Sequence, residues 1–474
     1  MFPAIAPQPM MTRERSLRLA APTLLAAIAV ATPARAAEEP AQAMTLNQAL
    51  DYARAHQPSL RAAMARVAAL RADADVARSQ WYPAVTGTAQ LFATTTNNTT
   101  GSYVSVPGFD NPRVSATKAE ATTTATLVPE PSTLVGAGIR QTVFDFGRIG
   151  ALAAAADLRA DVERAALAAV SLRVDYAVEE AYFAVSAAHA VQTASDQAYA
   201  RSVVHRDLAR AGVESGMRRP IELTRAEATL DRYDLGRIHA RRGVALAESL
   251  LAAVVGIPEA RLDVSGPPPS PPGLPPLADV LGAAADHSPD LLVARARVRA
   301  QEGATRAVER EARPTLFVSG ALSGNAGGAA PSSGFSAVGS GLLPLVPNWD
   351  AGVVLAWPLF DATVRARADR SRAEEDVSRE EAEVERQRIV SAVEQAYTDV
   401  EAARAALPVL RHQTDAAVAN YQQASARFDA GMSNAVELAD AEEIRTDAEI
   451  QLALGTFELT RTQVALWRLA GRAP

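Results

Sequence analysis

The stretch AVEQAY, residues 392–397, repeats AVEEAY, residues 177–182, at an offset of 215. The same offset relates four further sets of residues: Gly216-Met217 to Gly431-Met432, Glu222-Leu223 to Glu437-Leu438, Ala226-Glu227 to Ala441-Glu442, and Gly256 to Gly471. Nearer the N-terminus an offset of 231 relates Leu46, Leu50, His56, Pro58, Leu60 and Pro83 to Leu277, Leu281, His287, Pro289, Leu291 and Pro314. Matches at fixed offsets over this length indicate that one structural unit is duplicated within the chain.

The change of offset locates an insertion. Phe144-Asp145 returns as Phe360-Asp361 at an offset of 216, whereas Pro83 returns at an offset of 231. The first copy therefore carries 15 extra residues between Pro83 and Phe144. We expect a surface loop there, because loops tolerate insertions better than helices or strands do.

The N-terminus has the features of an export signal. Arg13, Arg15 and Arg18 precede a mostly apolar run at residues 19–30, and Ala34-Arg35-Ala36 places small residues around a cleavage point. We interpret residues 1–36 as a signal peptide, because the apolar run is too short to span a membrane.

Composition argues against several functions. The 474 residues include no cysteine, which excludes disulfides, thiolate metal ligands and a lipid-bearing cysteine anchor. The net charge of -7 becomes -10 once the +3 of residues 1–36 is removed, and this acidity argues against a nucleic-acid partner. The six histidines lie far apart, and the sequence has no phosphate-binding loop, dinucleotide glycine pattern or His-Glu-x-x-His motif. We expect no enzyme activity, no cofactor and no metal site.

Both copies have the same predicted order of elements: short helices, a β-hairpin and a long helix hairpin. A proline-rich linker joins the copies at residues 266–276, since proline favours extended backbone. The predicted ranges are 37–265 for the first repeat, with its β-hairpin at about 84–146 and its helix hairpin at about 147–256, and 277–474 for the second repeat, with its β-hairpin at about 315–360 and its helix hairpin at about 363–471.

The β-hairpins are predicted from a period of two. Val85, Gly87, Ala89, Leu91 and Ala93 alternate with mostly polar residues over about ten positions, the length of a transmembrane strand. Each copy contributes one hairpin with a long outer loop, hence four strands per chain. Four strands cannot close a barrel, and an open sheet edge is not tolerated in lipid, so we expect the sheet to close with other subunits.

The long helices are predicted from a coiled-coil seam. Apolar residues in the second copy follow one another at steps of three, four and seven, which is the spacing of a helix that packs along another helix. The seam residues are Ile389, Val393, Ala396, Val400, Ala403, Leu407, Leu410, Ala417, Tyr421, Ala424 and Phe428.

Aromatic residues gather where predicted strands meet helices. Transmembrane strands carry such girdles at the level of the membrane surface, so these residues are candidates for the membrane interface. Ordinary packing at a domain junction is the alternative interpretation. The residues are Trp81, Tyr82, Phe144, Phe146, Trp357 and Phe360.

The order of these features resembles that of the TolC-like outer membrane efflux proteins. The resemblance rests on the duplicated unit, on Trp357-Pro358-Leu359-Phe360-Asp361 at the strand exit, and on Arg427-Phe428-Asp429-Ala430-Gly431 before the return helix. It covers roughly residues 44–471. No single motif decides it, but the order of the motifs in both copies does.

The resemblance implies a mainly α fold with β structure. In such proteins a homotrimer forms one outer-membrane β-barrel of twelve strands, continuous with a long periplasmic α-helical barrel. The implied function is a passive exit duct of a tripartite efflux or type I secretion system. The implied partners are a periplasmic adaptor protein, an inner-membrane transporter of the RND or ABC type, and outer membrane lipid. The cargo is not implied, because specificity in such systems generally resides in the transporter.

The resemblance also implies a constriction at the tip of the second helix hairpin. Glu437 and Asp440 match the acidic positions there, and a spacing of three places both on one helix face. Threefold symmetry would make two carboxylate rings that favour cations and repel anions. An ordinary solvated helix face is the alternative interpretation.

The first tip offers candidates for a gate latch, namely Arg218, Arg219 and Glu222. We hypothesise that an arginine pairs with a carboxylate on a neighbouring hairpin and holds the entrance closed. Closed members of the family use polar links at the second tip, yet Phe428 has no hydroxyl and Ser433 has no charge. Any latch must therefore differ in detail.

The two tips are also the expected docking site of the adaptor. The residues concerned are Gly216, Met217, Gly431 and Met432. We expect left-handed backbone angles at Gly216 and Gly431. Helix termination alone is the alternative explanation of these two glycines.

Two other functions fit part of the sequence. A periplasmic adaptor is exported and contains a long helix hairpin, but it would need β-rich segments around a single hairpin. An exported coiled-coil structural protein would explain the helices but not two β-hairpins of membrane length. Both alternatives predict a protein that needs no detergent.

Overall fold

The computed structural model describes residues 42–94, 103–106, 109–112, 130–265, 273–327 and 348–471. The predicted signal peptide and most of the predicted linker lie outside the described residues. The helices in this part of the chain are α1 (Leu46–His56), α2 (Pro58–Ser79), α3 (Arg148–Glu214), α4 (Pro220–Val255), α5 (Leu277–His287), α6 (Pro289–Arg310), α7 (Ala362–Asp429) and α8 (Ala435–Leu469). The strands are β1 (Gln42–Met44), β2 (Ala84–Thr94), β3 (Tyr103–Val106), β4 (Phe109–Pro112), β5 (Glu130–Phe144), β6 (Leu262–Val264), β7 (Thr315–Gly327) and β8 (Asn348–Ala356).

Residues that recur in both copies mark the N-termini of the helices. Pro58 and Pro289 each occupy the first turn of a helix, where the missing N–H removes no hydrogen bond. The repeated aspartates cap the two longest helices. Asp145 accepts hydrogen bonds from the N–H groups of Gly147 and Ile149, and Asp361 accepts from those of Thr363 and Val364.

The predicted seam is the packed side of α7. All eleven seam residues are buried or half-buried, and Val393 and Val400 are fully buried. Most of the seam packs against α8, while its N-terminal part also meets α5. The coiled-coil prediction is thus confirmed for the second copy.

The helix α3 is the centre of the helical packing. It contacts α1, α2, α4, α6 and α8, whereas α7 contacts mainly α8 and α6. Helix α3 accordingly buries side chains on several faces, and α7 mainly on its seam. The two copies therefore share a sequence pattern but differ in how much of their long helices is covered.

Two tyrosines at equivalent repeat positions make similar hydrogen bonds in the two copies. The Tyr182 hydroxyl donates to the carbonyl oxygen of Ser265 at 2.9 Å, and the Tyr397 hydroxyl donates to that of Pro275 at 3.1 Å. The first bond holds the chain after β6, which pairs in parallel with β1, and the second holds the chain before α5.

Four long strands form one antiparallel sheet in the order β2-β5-β7-β8. The strands β2 and β8 are its edges. The segment between β2 and β5 is residues 95–129 and that between β7 and β8 is residues 328–347, a difference of 15 residues. The insertion inferred from the two offsets therefore lies between β2 and β5.

The sheet differs from the prediction in three details. The first outer segment contains an additional antiparallel pair, β3 and β4, which the sequence analysis missed. Strand β5 begins at Glu130, ahead of the predicted start near Leu134. Strand β8 ends at Ala356 and not near Phe360, because Pro358 has no N–H to continue the ladder.

Candidate functional site

The four-stranded sheet has one apolar face. Its register places Val85 opposite Ile139, Ile139 opposite Gly320, and Gly320 opposite Ala351, so these four positions lie on the same side. Large apolar side chains on that side are exposed in the single chain: Val85, Leu91, Val135, Ile139, Val318, Leu322, Trp349, Val353 and Leu355. A contiguous exposed apolar surface of this size indicates a face that contacts lipid or another protein.

The opposite face of the sheet is more polar. It carries Thr86, Thr88, Arg140 and Ser319 by the same register. The Arg140 guanidinium lies 3.7 Å from the centroid of the Phe317 ring on the neighbouring strand. A sheet that is apolar on one side and polar on the other has the pattern of a strand layer between lipid and an aqueous interior.

The six junction aromatics lie at the helix ends of the sheet. Trp81 and Tyr82 lie between α2 and β2, and Trp357 and Phe360 lie between β8 and α7. Tyr82 and Phe360 are each 75% exposed. Phe144 ends β5, and its ring packs edge-on against Phe146 at 4.7 Å between centroids. These rings are exposed in the single chain, and their place at a membrane interface stays a prediction.

Both helix hairpins turn at a left-handed glycine. Gly216 has φ 74° and Gly431 has φ 70°, the left-handed values predicted for them. The Arg218 N–H donates to the carbonyl oxygen of Gly212, and the Met432 N–H donates to that of Arg427. The bond from Met432 is that of a Schellman turn, whereas the bond from Arg218 closes a loop that is one residue longer.

The tips present exposed methionines beyond these turns. Met217 is 81% exposed and Met432 is 69% exposed. Flexible thioether side chains suit contact surfaces that adapt to a partner. Their exposure is compatible with the predicted docking surface.

The predicted constriction residues lie in the first two turns of α8. The side chain of Glu437 is 40% exposed and lies 3.2 Å from Arg427 of α7, while Asp440 is exposed. Asn434 caps the helix by accepting hydrogen bonds from the N–H groups of Val436 and Glu437. The two carboxylates share a helix face, as the spacing requires.

The three latch candidates have different surroundings. Arg218 lies 3.5 Å from Glu222 on its own hairpin. It also reaches the neighbouring hairpin, where its guanidinium stacks 3.7 Å from the Phe428 ring centroid and donates to the Phe428 carbonyl oxygen at 3.3 Å. Gly212 leaves room for it, since a Cβ there would lie 2.6 Å from Arg218 Cδ. Arg219 is exposed at the start of α4.

A buried ion pair behind the tips was not predicted from the sequence. Arg201 of α3 donates from Nε to Glu442 Oε1 of α8 at 2.7 Å, and the two side chains are 16% and 2% exposed. Burial raises the pKa of the Glu442 carboxyl, which the Arg201 charge opposes. Glu442 entered the sequence analysis only as the repeat partner of Glu227, and nothing in that match distinguishes a buried carboxylate from an exposed one.

One side-chain group in the described part of the chain has the composition of a metal site. Candidate ligand atoms of His189, Glu248 and Asp263 lie within 4.8 Å of one another. Asp263 Oδ1 already takes part in hydrogen bonds with His189 Nε2 at 2.8 Å and with the Val264 N–H at 2.7 Å. These bonds account for the geometry of His189 and Asp263 without an ion.

Among the described residues, no helix is long and apolar enough to cross a membrane.

Comparison with known proteins gives concordant results. A family model described as "Outer membrane efflux protein" matches residues 49–257 and 280–472. The fusaric acid resistance protein FusA of Burkholderia cepacia is 28% identical over 217 residues, which are 44% of this chain and 38% of FusA. The match thus spans well under half of that relative.

Solved structures of low sequence identity share the fold. The outer-membrane channel OprN superposes with a TM-score of 0.67 at 22% identity, over 90% of this chain and 89% of OprN. The outer membrane protein VceC from Vibrio cholerae superposes with a TM-score of 0.68 at 17% identity, over 90% of this chain and 96% of VceC.

Proposed function

This chain belongs to the outer membrane efflux protein family, and from that membership we propose that it is the outer-membrane exit duct of a tripartite efflux system. The family consists of channel proteins and not of enzymes. Membership displaces the two other functions considered from the sequence, a periplasmic adaptor and an exported coiled-coil structural protein.

The observation that carries the proposal is the two-sided sheet. Its apolar side exposes Val85, Val353 and Leu355 by 71%, 69% and 59%. In water such a surface would cost about 25 cal/mol for each Å² of apolar area, so it needs an apolar environment. We assign that environment to outer membrane lipid, with the polar side facing the channel interior.

The sheet supports a trimer because it cannot close alone. The edge strands β2 and β8 each leave one row of backbone groups without a strand partner in the described chain. Three copies, joined from β8 of one to β2 of the next, give the twelve-stranded barrel of the family and satisfy both edges.

A stripe on α4 supports the same assembly. Leu235, Ile238, Leu246 and Leu250 lie on one side of the helix and are 58%, 53%, 58% and 55% exposed. Apolar residues at this spacing on an exposed helix face favour packing against another helix. We assign this face to the contact between neighbouring subunits in the periplasm.

The long helices form the periplasmic part of the proposed duct. Helix α3 has 67 residues and α7 has 68 residues, and each is therefore about 100 Å long at 1.5 Å per residue. Their tips face away from the sheet and meet the periplasmic adaptor, with Met217 and Met432 as exposed contacts. The adaptor connects the duct to an inner-membrane transporter of the RND or ABC type.

The tips also form the proposed entrance. Rings of Glu437 and Asp440 around the threefold axis favour cations over anions. Arg218 is the latch residue, because it contacts the neighbouring hairpin through the ring and carbonyl of Phe428 and not, as hypothesised from the sequence, through a carboxylate there. Its bond to Glu222 keeps its guanidinium at this position.

Cell fractionation and mass determination in detergent test the proposal. We expect the mature protein in the outer-membrane fraction and a detergent-solubilised mass of three chains. Leu246→Glu adds a charge to the α4 stripe, and should lower the mass toward one chain while leaving the helical content unchanged. A protein that remains in the periplasmic fraction as a monomer without detergent would refute the proposal.

A further inference from the structure

Three arginines lie where the sheet meets the long helices. Arg310 is the last residue of α6, Arg313 lies two residues before β7, and Arg365 lies in the first turn of α7. All three residues are exposed. The helices α6 and α7 pack together, so the three arginines belong to one end of the helical part. We call them the arginine rim.

The carboxylates at this level are already engaged. Asp145 and Asp361 accept hydrogen bonds from N–H groups at the starts of α3 and α7. Glu311 lies 2.8 Å from Arg367. Within the described part of the chain, no residue of the arginine rim has a carboxylate at ion-pair distance. The arginine rim therefore has three positive charges without a counter-charge there.

Direct contacts connect the arginine rim to the apolar face of the sheet. Phe144 pairs with Leu316, and Leu316 pairs with Leu355, so Phe144 lies on the apolar face. The Phe144 ring packs edge-on against Phe146. The carbonyl oxygen of Phe146 accepts a hydrogen bond from Arg310 Nη1 at 3.2 Å. Arg310 is therefore adjacent to the face that we assign to lipid.

Arg365 has a similar environment and free hydrogen-bond donors. Its guanidinium lies 5.4 Å from the centroid of the Phe360 ring, which is among the exposed junction aromatics. A guanidinium has several N–H donors, of which Arg310 uses one on Phe146 and a ring contact uses none. The remaining donors form a planar fork that fits two oxygens of one phosphate group.

The position of the arginine rim along the molecule matches the headgroup layer of a membrane. The hydrocarbon core of a bilayer is about 30 Å thick and the bilayer with headgroups is about 40–45 Å thick, so each headgroup layer is roughly 5–8 Å deep. Arg365 lies about 5 Å along the axis of α7 from its start. If the apolar face lies in hydrocarbon, the three guanidinium groups lie at the depth of lipid phosphates.

The neighbouring surface favours a lipid over other anions. An acidic protein or a free phosphate ion could balance the charges, but a phosphate ion would leave the apolar face and the aromatic rings exposed. An anionic phospholipid covers that face with its acyl chains and brings its phosphate to the arginines. Each basic residue near a membrane surface raises the affinity for anionic lipid by about fivefold.

We propose that the arginine rim binds the phosphate groups of anionic phospholipids, in the leaflet nearest the long helices. The proposal rests on the proposed function, which places the sheet in the outer membrane, and it adds the class of headgroup. It also gives Arg310 and Arg365 a role beside the junction aromatics: the rings set the depth of the protein in the bilayer, and the arginines select the lipid.

Quenching of tryptophan fluorescence tests the proposal. The purified protein keeps Trp357 as its only tryptophan, since this residue lies between β8 and α7 beside the arginine rim. Phosphatidylcholine bilayers contain either brominated phosphatidylglycerol or brominated phosphatidylcholine at the same mole fraction, and the two degrees of quenching give the relative affinity of the lipids. We expect a preference for phosphatidylglycerol of about fivefold or more at low salt, which decreases at high salt.

Glutamine at all three positions of the arginine rim should remove this preference. The variant combines Arg310→Gln, Arg313→Gln and Arg365→Gln, and brominated phosphatidylcholine should still quench Trp357 as it does in the native chain. That unchanged quenching shows that the variant is folded and inserted. A preference of native size in this variant would overturn the proposal.

The matched control makes the same change of charge farther along α7. Arg372, Arg379 and Arg386 each pair with a carboxylate of α6 or α7, at 2.7, 2.9 and 2.6 Å. They lie about 15–36 Å from the start of α7, beyond the headgroup layer. Their joint replacement by glutamine should leave the lipid preference native. An equal loss of preference in this control would show a general effect of net charge and overturn the proposal.

Two further outcomes separate the proposal from its premise. Equal quenching of the native chain by the two brominated lipids would overturn the lipid preference and leave the sheet in the membrane, as would loss of the preference on addition of soluble glycerol phosphate, which would indicate a site for free phosphate. Absence of quenching by either lipid would overturn the proposal together with the proposed function.

Discussion

Arg201 Nε lies 2.7 Å from Glu442 Oε1, and this contact joins the first helix hairpin to the second. The carboxylate is 2% exposed, so the pair is removed from solvent screening. A second pair between the hairpins, Arg232 with Glu443 at 2.8 Å, is half exposed. Glu442 has the buried position and Glu443 the solvated one, although they are neighbours in sequence.

Removal of Arg201 should destabilise the protein strongly. Arg201→Met removes the charge-assisted hydrogen bond to the buried Glu442 carboxylate and leaves only the weaker attraction of Arg445, which costs on the order of 3 kcal/mol. Replacing both Arg201 and Glu442 with methionine should restore most of the lost stability, because the buried charge disappears together with its partner. Thermal unfolding in detergent measures the effect.

The matched control for Arg201 is Arg210, which lies 3.5 Å from Glu227, the repeat equivalent of Glu442. Both of those side chains are about half exposed, at 47% and 49%. Arg210→Met should therefore change stability by less than about 1 kcal/mol. Equal effects of the two substitutions would show that the Arg201 pair is not buried in the assembled protein.

The stability of the first copy should depend on the ionisation of Glu179. Burial and the charge of Asp175 raise the pKa of the Glu179 carboxyl from 4.5 to about 7, against the effect of Arg54. Between these two pH values the folded chain holds a proton that the unfolded chain releases. The free energy of unfolding therefore falls as the pH rises through this window.

Glu179→Gln removes the free-energy cost of ionising a buried carboxyl. It should raise the free energy of unfolding at pH 8 by on the order of 1–3 kcal/mol. The gain should shrink as the pH approaches 4.5. Glu394→Gln is the control, because Glu394 is the repeat equivalent and is exposed. Unfolding midpoints at pH 5 and pH 8 test this, and a gain of the same size at both values would contradict the raised pKa.

Trp349 should lie in the hydrocarbon layer. It is 76% exposed on the apolar face of the sheet. In a variant that keeps only this tryptophan, lipids brominated on the acyl chain should quench its fluorescence strongly. Trp467 packs on the core of the second copy, so a variant that keeps only Trp467 should not be quenched.

Trp357 distinguishes the two interpretations of the junction aromatics. It is 57% exposed between β8 and α7. A residue at the membrane interface is quenched best by lipids brominated close to the headgroup. Absence of quenching from any depth would favour packing at a domain junction.

Charge reversal at Arg218 should raise the single-channel conductance. Arg218→Glu removes the stack on Phe428, worth about 1–2 kcal/mol, and places a second carboxylate near Glu222. Arg219→Glu makes the same change of charge one residue away at an exposed position, and should leave conductance close to native. An unchanged conductance in Arg218→Glu would show that Arg218 does not hold the entrance closed.

The sequence was sufficient for the parts of the fold that depend on periodicity. The alternation from Val85 to Ala93 predicted a two-sided strand, and the seam from Ile389 to Phe428 predicted the buried side of α7. The glycines at the tips were also predictable, because only a left-handed residue closes a helix in this way. Strands β3 and β4 were missed because each has only four residues, too few to show a period of two.

The environment of single residues was not predictable from the repeat. Glu179 and Glu394 occupy equivalent positions, yet the first is 4% exposed and the second is exposed. The difference arises because α3 packs against five helices, including α1 with Arg54 beside Glu179, and the sequence match contains none of this tertiary structure. The contact of Arg218 with Phe428 likewise joins residues 210 positions apart.

Single-channel recording in a planar lipid bilayer is the decisive test of the assignment of this chain as an exit duct. We expect the purified mature protein to produce discrete conductance steps that prefer cations, because we place Glu437 and Asp440 at the narrowest part of the proposed duct. A purified, folded protein that inserts into the bilayer and carries no current, even as Arg218→Glu, would contradict the assignment of this chain as an exit duct.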